Sequence, residues 1–263
     1  MKKALLSLAL CGALFAGWQD MLGVAVKSFG GTQQKSTTSV ASDKEQSAIK
    51  QALEIGVKKA VSALGKKDGF YKNELVKIAL PKNAQVAAST LRKIGMGKYV
   101  DQFELAMNRA AEEAVPETAN ILVDTVKNMK LSDVKKILSG GDTAATDYFK
   151  THAGDRLAKA IAPIIKKHME KEQVTRYYQM MMQAYNKYAK PYTQNAYAKA
   201  ALGALGMDTS AAPKEDEKDL ATYVTNRTLQ GLYTMIAQQE KAIRTSPAAR
   251  TTKLLQEVFG GAR

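Results

Sequence analysis

The chain has 263 residues, carries a formal net charge of +14 and contains a single cysteine, Cys11. A single cysteine excludes an internal disulfide framework and a zinc site built from several thiolates. The surplus of lysine and arginine favours anionic partners, such as lipid headgroups, lipopolysaccharide phosphates and acidic glycans.

The first residues have the three parts of a secretory signal peptide. Lys2 and Lys3 give a positive start, residues 4–15 are almost wholly apolar, and Ala16 is a small residue suited to signal peptidase. We therefore predict a signal peptide over residues 1–16 and an exported mature protein, which disfavours nucleic acid as a partner. The alternative is a lipoprotein anchored through Cys11, although a leucine rather than a small residue precedes it.

Composition predicts an all-α fold, because strong helix formers are abundant and the chain contains only six prolines. The stretch 30–42 is rich in serine and threonine, so we predict a flexible N-terminal tether over residues 17–42. Ser42 and Glu45 then have the spacing of a capping box, which predicts that the first helix starts there.

Residues 43–260 are predicted to form a single multi-helix domain. Residues 75–81 alternate in polarity and make at most one short extended segment. Asp142 follows two glycines and is expected to cap the helix after it. Apolar residues at helical spacing predict helices over residues 43–64, 83–94, 98–115, 117–128, 133–138, 143–149, 155–172, 175–190, 220–243 and 246–259.

The densest polar stretch contains Asn108, Arg109 and Glu112. The alanines between these residues allow another helix to approach closely, which would draw the polar groups inward. One interpretation is a buried structural network in which every donor and acceptor is satisfied. The other is a site that binds a carboxylate or phosphate through Arg109, or uses Glu112 for proton transfer. We favour the network, and expect Glu240 and Arg244 to join this polar cluster if the terminal helices pack on the central one.

A second pattern is a seam of large side chains at steps of three and four. Its members are Tyr178, Met181, Tyr185, Tyr188 and Tyr192. Tyrosine offers a wide apolar face with a polar tip, so the seam is a candidate apolar groove for a carbohydrate, an amphiphile or a partner helix. The alternative, which we favour, is that the seam packs on a neighbouring helix of the same domain.

The two histidines, His152 and His168, do not have the spacing of a metal site. No metal, no cofactor and no catalytic residue is predicted.

Several separate segments resemble a bacterial envelope family, the domain-of-unknown-function family 4197, over about residues 48–260. They are DGF at 68–70, IALP at 78–81, NRAAEEAVPE at 108–117, GGDTAATDYF at 140–149, DL at 219–220, YV at 223–224, GLY at 231–233 and EKAIRTSPAARTTKLLQEVFG at 240–260. The resemblance implies a helical, signal-bearing protein of the Gram-negative envelope, and hence a periplasmic location. It implies no biochemical activity.

These observations leave three classes of function. The first is a non-enzymatic periplasmic protein that binds an anionic or amphiphilic envelope ligand, such as an anionic lipid or lipopolysaccharide. The second is an assembly factor that contacts another envelope protein. The third is an enzyme that uses Glu112 and Arg109, which we rank last because the sequence shows neither a nucleophile–base pair nor two placed carboxylates.

Overall fold

A computed structural model describes residues 34–190 and 217–246, and the single positions 197, 200, 204, 252, 253 and 256. The chain divides into two compact units, residues 1–43 and 44–263, and the predicted signal peptide lies outside the described residues. Regular structure in the described residues is helical, without a strand, which confirms the predicted all-α class. No helix in this part of the chain is long and apolar enough to cross a bilayer.

The helices are α1 (Gln34–Leu64), α2 (Lys82–Lys93), α3 (Gly97–Ala114), α4 (Ala119–Lys127), α5 (Leu131–Ser139), α6 (Ala144–Lys171), α7 (Val174–Ala184) and α8 (Glu217–Thr245). A 3-10 turn, Val115–Thr118, joins α3 to α4 and contains Pro116, where a break was predicted. A π-helical turn, Tyr185–Ala189, follows α7.

The first helix starts earlier than the sequence pattern predicted. α1 begins at Gln34, so Ser42 and Glu45 lie within the helix instead of starting it. Extending an existing helix gains one backbone hydrogen bond per residue, while serine or threonine costs only about half a kcal/mol in propensity. A polar composition therefore does not by itself stop a helix.

Helix α6 is continuous where the sequence predicted two helices, over residues 143–149 and 155–172. Gly154 lies inside it, and a glycine there costs about 1 kcal/mol relative to alanine. Burial of a single leucine or isoleucine outweighs that cost, and a buried stripe at every fourth position continues past the glycine. The stripe consists of Ala145, Phe149, Ala153, Leu157, Ile161, Ile165 and Met169.

Helix α3 lies at the centre of the core and packs against α2, α6 and α7. Phe103 and Met107 fill its buried face, and buried alanines between them let the neighbouring helices approach closely. Helix α8 packs along α6. The two run antiparallel, since the start of α6 meets Glu240 near the end of α8, while Gly154 further along α6 lies beside Tyr233.

The connection between α1 and α2, residues 65–81, contributes to the core without forming a helix or a strand. Phe70 is fully buried, and alternate residues of the following segment, Val76, Ile78 and Leu80, are also buried. This alternation matches the predicted extended segment. On α8, Gly231 leaves space for Phe70, because a Cβ at that position would lie 2.6 Å from Phe70 Cε1.

Candidate functional site

The Glu112 carboxylate on α3 binds the backbone of the turn that follows α1. Its side chain is only 3 % exposed. Oε1 accepts hydrogen bonds from the backbone N–H groups of Phe70 and Tyr71, both at 3.0 Å. Oε2 accepts a hydrogen bond from Nη1 of Arg109. A buried charge of this kind is stable only when paired and hydrogen-bonded, and here both oxygens are engaged by the chain itself.

Arg109 extends the same cluster to the tight turn at Asp68. Its Nη2 donates to Asp68 Oδ1 at 2.6 Å. Asp68 has a left-handed backbone with φ of 67°, and the hydrogen bonds from Lys72 and Arg109 hold the pKa of its carboxyl below the usual value. The next residue must be Gly69, because a Cβ there would lie 2.4 Å from the carbonyl oxygen of Leu64.

Asn108, one residue before Arg109, holds the extended segment. Its Oδ1 accepts from the N–H of Ile78 at 2.8 Å, and its Nδ2 donates to the carbonyl of Ile78 at 3.0 Å. Nδ2 also donates to the carbonyl of Glu104 at 2.8 Å. The side chain is fully buried. The contacts of Asn108, Arg109 and Glu112 therefore support the structural interpretation, in which this cluster fixes residues 68–78 against α3.

Glu240 and Arg244 form a second cluster, at the start of α6. Glu240 Oε1 accepts from Ala145 N at 2.9 Å, and Oε2 accepts from Thr146 N at 3.0 Å and from the Thr146 hydroxyl at 2.9 Å. Arg244 donates to Glu240 Oε1 at 2.9 Å and to the carbonyl of Ile137 at 2.8 Å. The donors to Glu240 thus differ from those to Glu112. The five residues predicted as one polar cluster belong to two clusters with different partners.

The cap of α6 also differs from the prediction. Asp142 was expected to cap this helix, but the N-cap position is Thr143 and its side chain makes no capping hydrogen bond. Glu240 of α8 engages the N–H groups of Ala145 and Thr146 instead. A carboxylate at a helix N-terminus satisfies amides that have no partner within the helix and lies at the positive end of the helix dipole. A contact so distant in the chain leaves no local spacing signal.

The tyrosine seam divides into buried and exposed parts. Tyr178 and Met181 belong to the core, and the Tyr178 ring lies 5.2 Å from that of Phe103. Tyr185 is half-buried, while Tyr188 is 41 % exposed. Tyr192 lies outside the described residues. Tyr178 and Met181 therefore pack within the domain, which agrees with the interpretation we favour. An apolar groove formed by Tyr185, Tyr188 and Tyr192 stays a prediction.

The histidines lie apart from both clusters. His168 Nδ1 lies 2.6 Å from Oε2 of Glu113, and Lys171 donates to Oε1 of Glu113 at 2.7 Å. His152 contacts the carbonyl of Tyr148 at 3.0 Å. In the described part of the chain, no group of three or more His, Cys, Asp or Glu side chains is placed to hold a metal ion.

A groove of about 890 Å³ runs between α6 and α8. Most of its lining side chains are amides, hydroxyls or charged groups that recur every three or four residues on each helix. The lining residues are Asp142, Thr143, Thr146, Lys150, Gly154, Asn226, Leu229, Gln230, Tyr233, Thr234, Ala237, Gln238 and Lys241. The Glu240 cluster joins the two walls at the end of the groove where α6 begins.

Tyr233 and Gly154 face each other across this groove. The hydroxyl of Tyr233 is buried and has no hydrogen-bond partner among the described residues, and burial raises the pKa of Tyr233. The hydroxyl lies against α6 at Gly154, since a Cβ there would be in van der Waals contact with it at 3.7 Å. A water or ligand group in the groove reaches the hydroxyl only if Tyr233 moves away from α6.

The groove carries two lysines at its rim. Lys150 forms an exposed ion pair with Asp147 at 2.9 Å, and Lys241 lies 4.0 Å from Asp142. Exposed pairs of this kind contribute at most about 1 kcal/mol, so both ammonium groups are free to turn towards an anion at small cost.

Sequence reasoning missed the groove. Two signals pointed to it: polar residues at positions 226, 230, 234, 238 and 241 share one face of α8, and a glycine occupies position 154 within a helix. Neither signal indicates which element lies opposite, so the groove was not predicted.

The fold and these sites define an all-helical protein in which buried carboxylates hold helix ends and turns, with a groove between the antiparallel helices α6 and α8. Residues 39–260 match the family described as protein of unknown function (DUF4197). Since the match covers most of the chain, the protein belongs to this family, which confirms the resemblance. No curated protein and no solved structure matches it.

The segments that carry the family resemblance meet in space. Residues 68–70 and 78–81 are both bonded to 108–117, through Glu112, Arg109 and Asn108. Residues 140–149 are bonded to 240–260, through Glu240. Segments far apart in sequence thus form the two polar clusters.

Proposed function

We propose that this protein is a non-enzymatic periplasmic protein that binds an anionic or amphiphilic envelope ligand in the groove between α6 and α8. The groove carries the proposal: its volume of about 890 Å³ falls in the range of roughly 300–1,000 Å³ typical of small-molecule sites. The predicted signal peptide supports the location, and the net charge of +14 supports an anionic ligand.

The wall of the groove contains two features that lower the stability of the unliganded protein. A buried hydroxyl without a partner, as at Tyr233, costs about 1–3 kcal/mol. A glycine inside a helix, as at Gly154, costs about 0.5–1 kcal/mol relative to alanine. Both lie at one point of the groove wall, and a ligand group that enters between Tyr233 and α6 relieves the first cost. This coincidence supports a binding role.

The other two functions have weaker support. An assembly factor acting through protein contact is favoured by Tyr188, a large side chain that is 41 % exposed. An enzyme built on Glu112 and Arg109 has less support, because both oxygens of Glu112 already hold the backbone of Phe70, the backbone of Tyr71 and the Arg109 side chain.

The test is native mass spectrometry of the protein purified gently from the periplasm of its own host. We expect a polypeptide that begins at Gly17, with an additional mass that denaturation releases as an anionic or amphiphilic small molecule. A bare polypeptide would contradict the ligand-binding proposal, and retention of residues 1–16 on a cytoplasmic protein would contradict the proposed location.

Two groove-filling variants and one matched control sharpen the test. Gly154→Leu fills the groove from α6, and Ala237→Phe fills it from α8, so both are expected to lose the additional mass. Thr151→Leu is the control: it adds the same side chain at an exposed position of α6 that does not line the groove, so it should keep the ligand. Circular dichroism checks that each variant is folded.

A further inference from the structure

We infer that the groove between α6 and α8 recognises an oligosaccharide that carries carboxylate or phosphate groups. This inference rests on the proposed function and specifies its ligand class.

The side-chain amides of the groove that have no partner within the described part of the protein are of a chemical kind that can bind sugar hydroxyls. The exposed amides of Asn226 and Gln238 form no side-chain hydrogen bond with another described residue, and Gln230 uses only its oxygen, which accepts from Arg227 at 2.8 Å. An amide offers a donor and an acceptor side by side, which matches a hydroxyl or a pair of neighbouring hydroxyls. Asn226, Gln230 and Gln238 lie along one face of α8, so they suit a ligand that repeats such groups along its length.

Tyr233 provides both the apolar and the polar contact that a sugar ring requires. A sugar presents a face of C–H groups, which packs on an aromatic ring, and an edge of hydroxyls, which bonds to a polar tip such as the tyrosine hydroxyl. The Tyr233 hydroxyl lacks a partner among the described residues and lies against Gly154 of α6. A sugar hydroxyl that displaces this contact satisfies the buried group.

The rim of the groove selects for negative charge on the saccharide. Lys150 and Lys241 line the groove with Asp142 as the one acidic residue among the described lining residues. The side chains of both lysines are more than half exposed, at 51 % and 65 %, so each ammonium can reach an anionic group at the cost of a weak surface pair.

The groove combines apolar surface with regularly spaced polar groups. On the α8 wall, Leu229, Tyr233 and Ala237 alternate with amides and hydroxyls. A ligand that covers the whole wall must therefore offer polar groups as well as C–H surface, and a saccharide has both.

The test is calorimetric titration of the mature protein, residues 17–263, at low ionic strength. The probes are a galacturonic acid tetrasaccharide, neutral maltotetraose, inorganic phosphate and phosphatidylglycerol vesicles. We expect the acidic tetrasaccharide to bind, and maltotetraose to bind at least about tenfold more weakly, because it lacks the charges that meet the lysines. Phosphate alone should bind too weakly to displace the tetrasaccharide, since it leaves the amides unused.

Variants assign that binding to the groove. Asn226→Ala is expected to lower the affinity for the tetrasaccharide about tenfold, as loss of one or two hydrogen bonds does. Gly154→Leu should abolish binding, and Thr151→Leu, at an exposed position of α6 outside the groove lining, should retain it. Replacing Lys150 and Lys241 together by glutamine should reduce the preference for the acidic over the neutral tetrasaccharide to less than about threefold.

Tyr233→Phe separates a recognition role from a purely structural one. Removing the orphaned hydroxyl should raise the melting temperature of the unliganded protein, while lowering the affinity for the tetrasaccharide about fivefold. If the affinity were unchanged, the hydroxyl would be no part of the site and the inference would lose its central contact.

The outcomes separate this inference from the proposed function. Vesicle binding that Gly154→Leu abolishes, with no response to either tetrasaccharide, would overturn the saccharide inference and keep a ligand-binding groove. No groove-dependent response to any probe, together with a bare native mass, would overturn both.

Discussion

The side chain of Asn108 pairs with the backbone of Ile78 in the way that a neighbouring β-strand does. Oδ1 accepts from the N–H of Ile78 at 2.8 Å and Nδ2 donates to its carbonyl at 3.0 Å. Buried backbone groups need partners, and this all-helical core offers no strand among its described residues. One asparagine on α3 thus allows an extended segment to lie in the core.

Asn108→Ala should therefore destabilise the protein by about 3 kcal/mol, because it leaves both polar groups of Ile78 buried without partners. The measurement is urea unfolding, combined with hydrogen exchange of the Ile78 amide, which should exchange much faster in the variant. Asn108→Asp should not rescue stability, since a carboxylate cannot donate to the carbonyls of Ile78 and Glu104. Normal protection of the Ile78 amide in Asn108→Ala would contradict this account.

Glu112→Gln is the test that distinguishes a structural from a functional role for the first cluster. Its amide NH2 would face the guanidinium of Arg109, so we expect a loss of about 3 kcal/mol in the free energy of unfolding. Glu117→Gln, an exposed position nearby, is the control and should change stability by less than about 0.5 kcal/mol. Unchanged stability in Glu112→Gln with lost ligand binding would instead identify Glu112 as a ligand residue.

Glu240→Gln should weaken the junction between α6 and α8 by about 2 kcal/mol. The substitution removes the negative charge from the N-terminus of α6 and brings an amide donor towards the donors of Thr146 or Arg244. Hydrogen exchange should report the change locally, at the amides of Ala145 and Thr146. Lys241→Gln on the neighbouring exposed position serves as the comparison, and equal exchange rates in the two variants would contradict the capping role.

Acid should destabilise the protein through Asp68 and Glu113. Hydrogen bonds from Lys72 and Arg109 lower the pKa of Asp68 from its usual 3.8. Desolvation opposes ionisation of Glu113, yet hydrogen bonds from Lys171 and His168 lower its pKa from the usual 4.5. A carboxyl with a lowered folded-state pKa contributes stability above its unfolded pKa and loses it as the pH falls through the folded value.

We therefore expect the free energy of unfolding to fall from about pH 5 towards pH 3, with a shallower fall in Glu113→Gln. Urea unfolding at several pH values measures both slopes. Parallel slopes for the two proteins would show that Glu113 contributes nothing to the acid sensitivity.

Part of the fold could be predicted from local features of the segments that carry the family resemblance. The polar character of residues 108–117, the glycine at 69 and the alternation at 76–80 were visible locally, and all three concern the same contact in the structure. The grouping of Glu240 and Arg244 with Glu112 was predicted from polarity and from the family resemblance. Polarity indicates that a group needs a partner but does not say which partner, so the prediction merged two clusters with different donors.

Local periodicity, propensity and turn residues were enough to determine that this protein is built from helices, and nearly where most of them end, because each of those properties acts within a few residues of the chain. The tertiary structure alone decided that Glu240 caps α6 and that Gly154 and Tyr233 lie side by side at a groove. These relationships join residues about 75 or more positions apart, and their energy comes from burial and hydrogen bonding between elements, which no short-range pattern encodes.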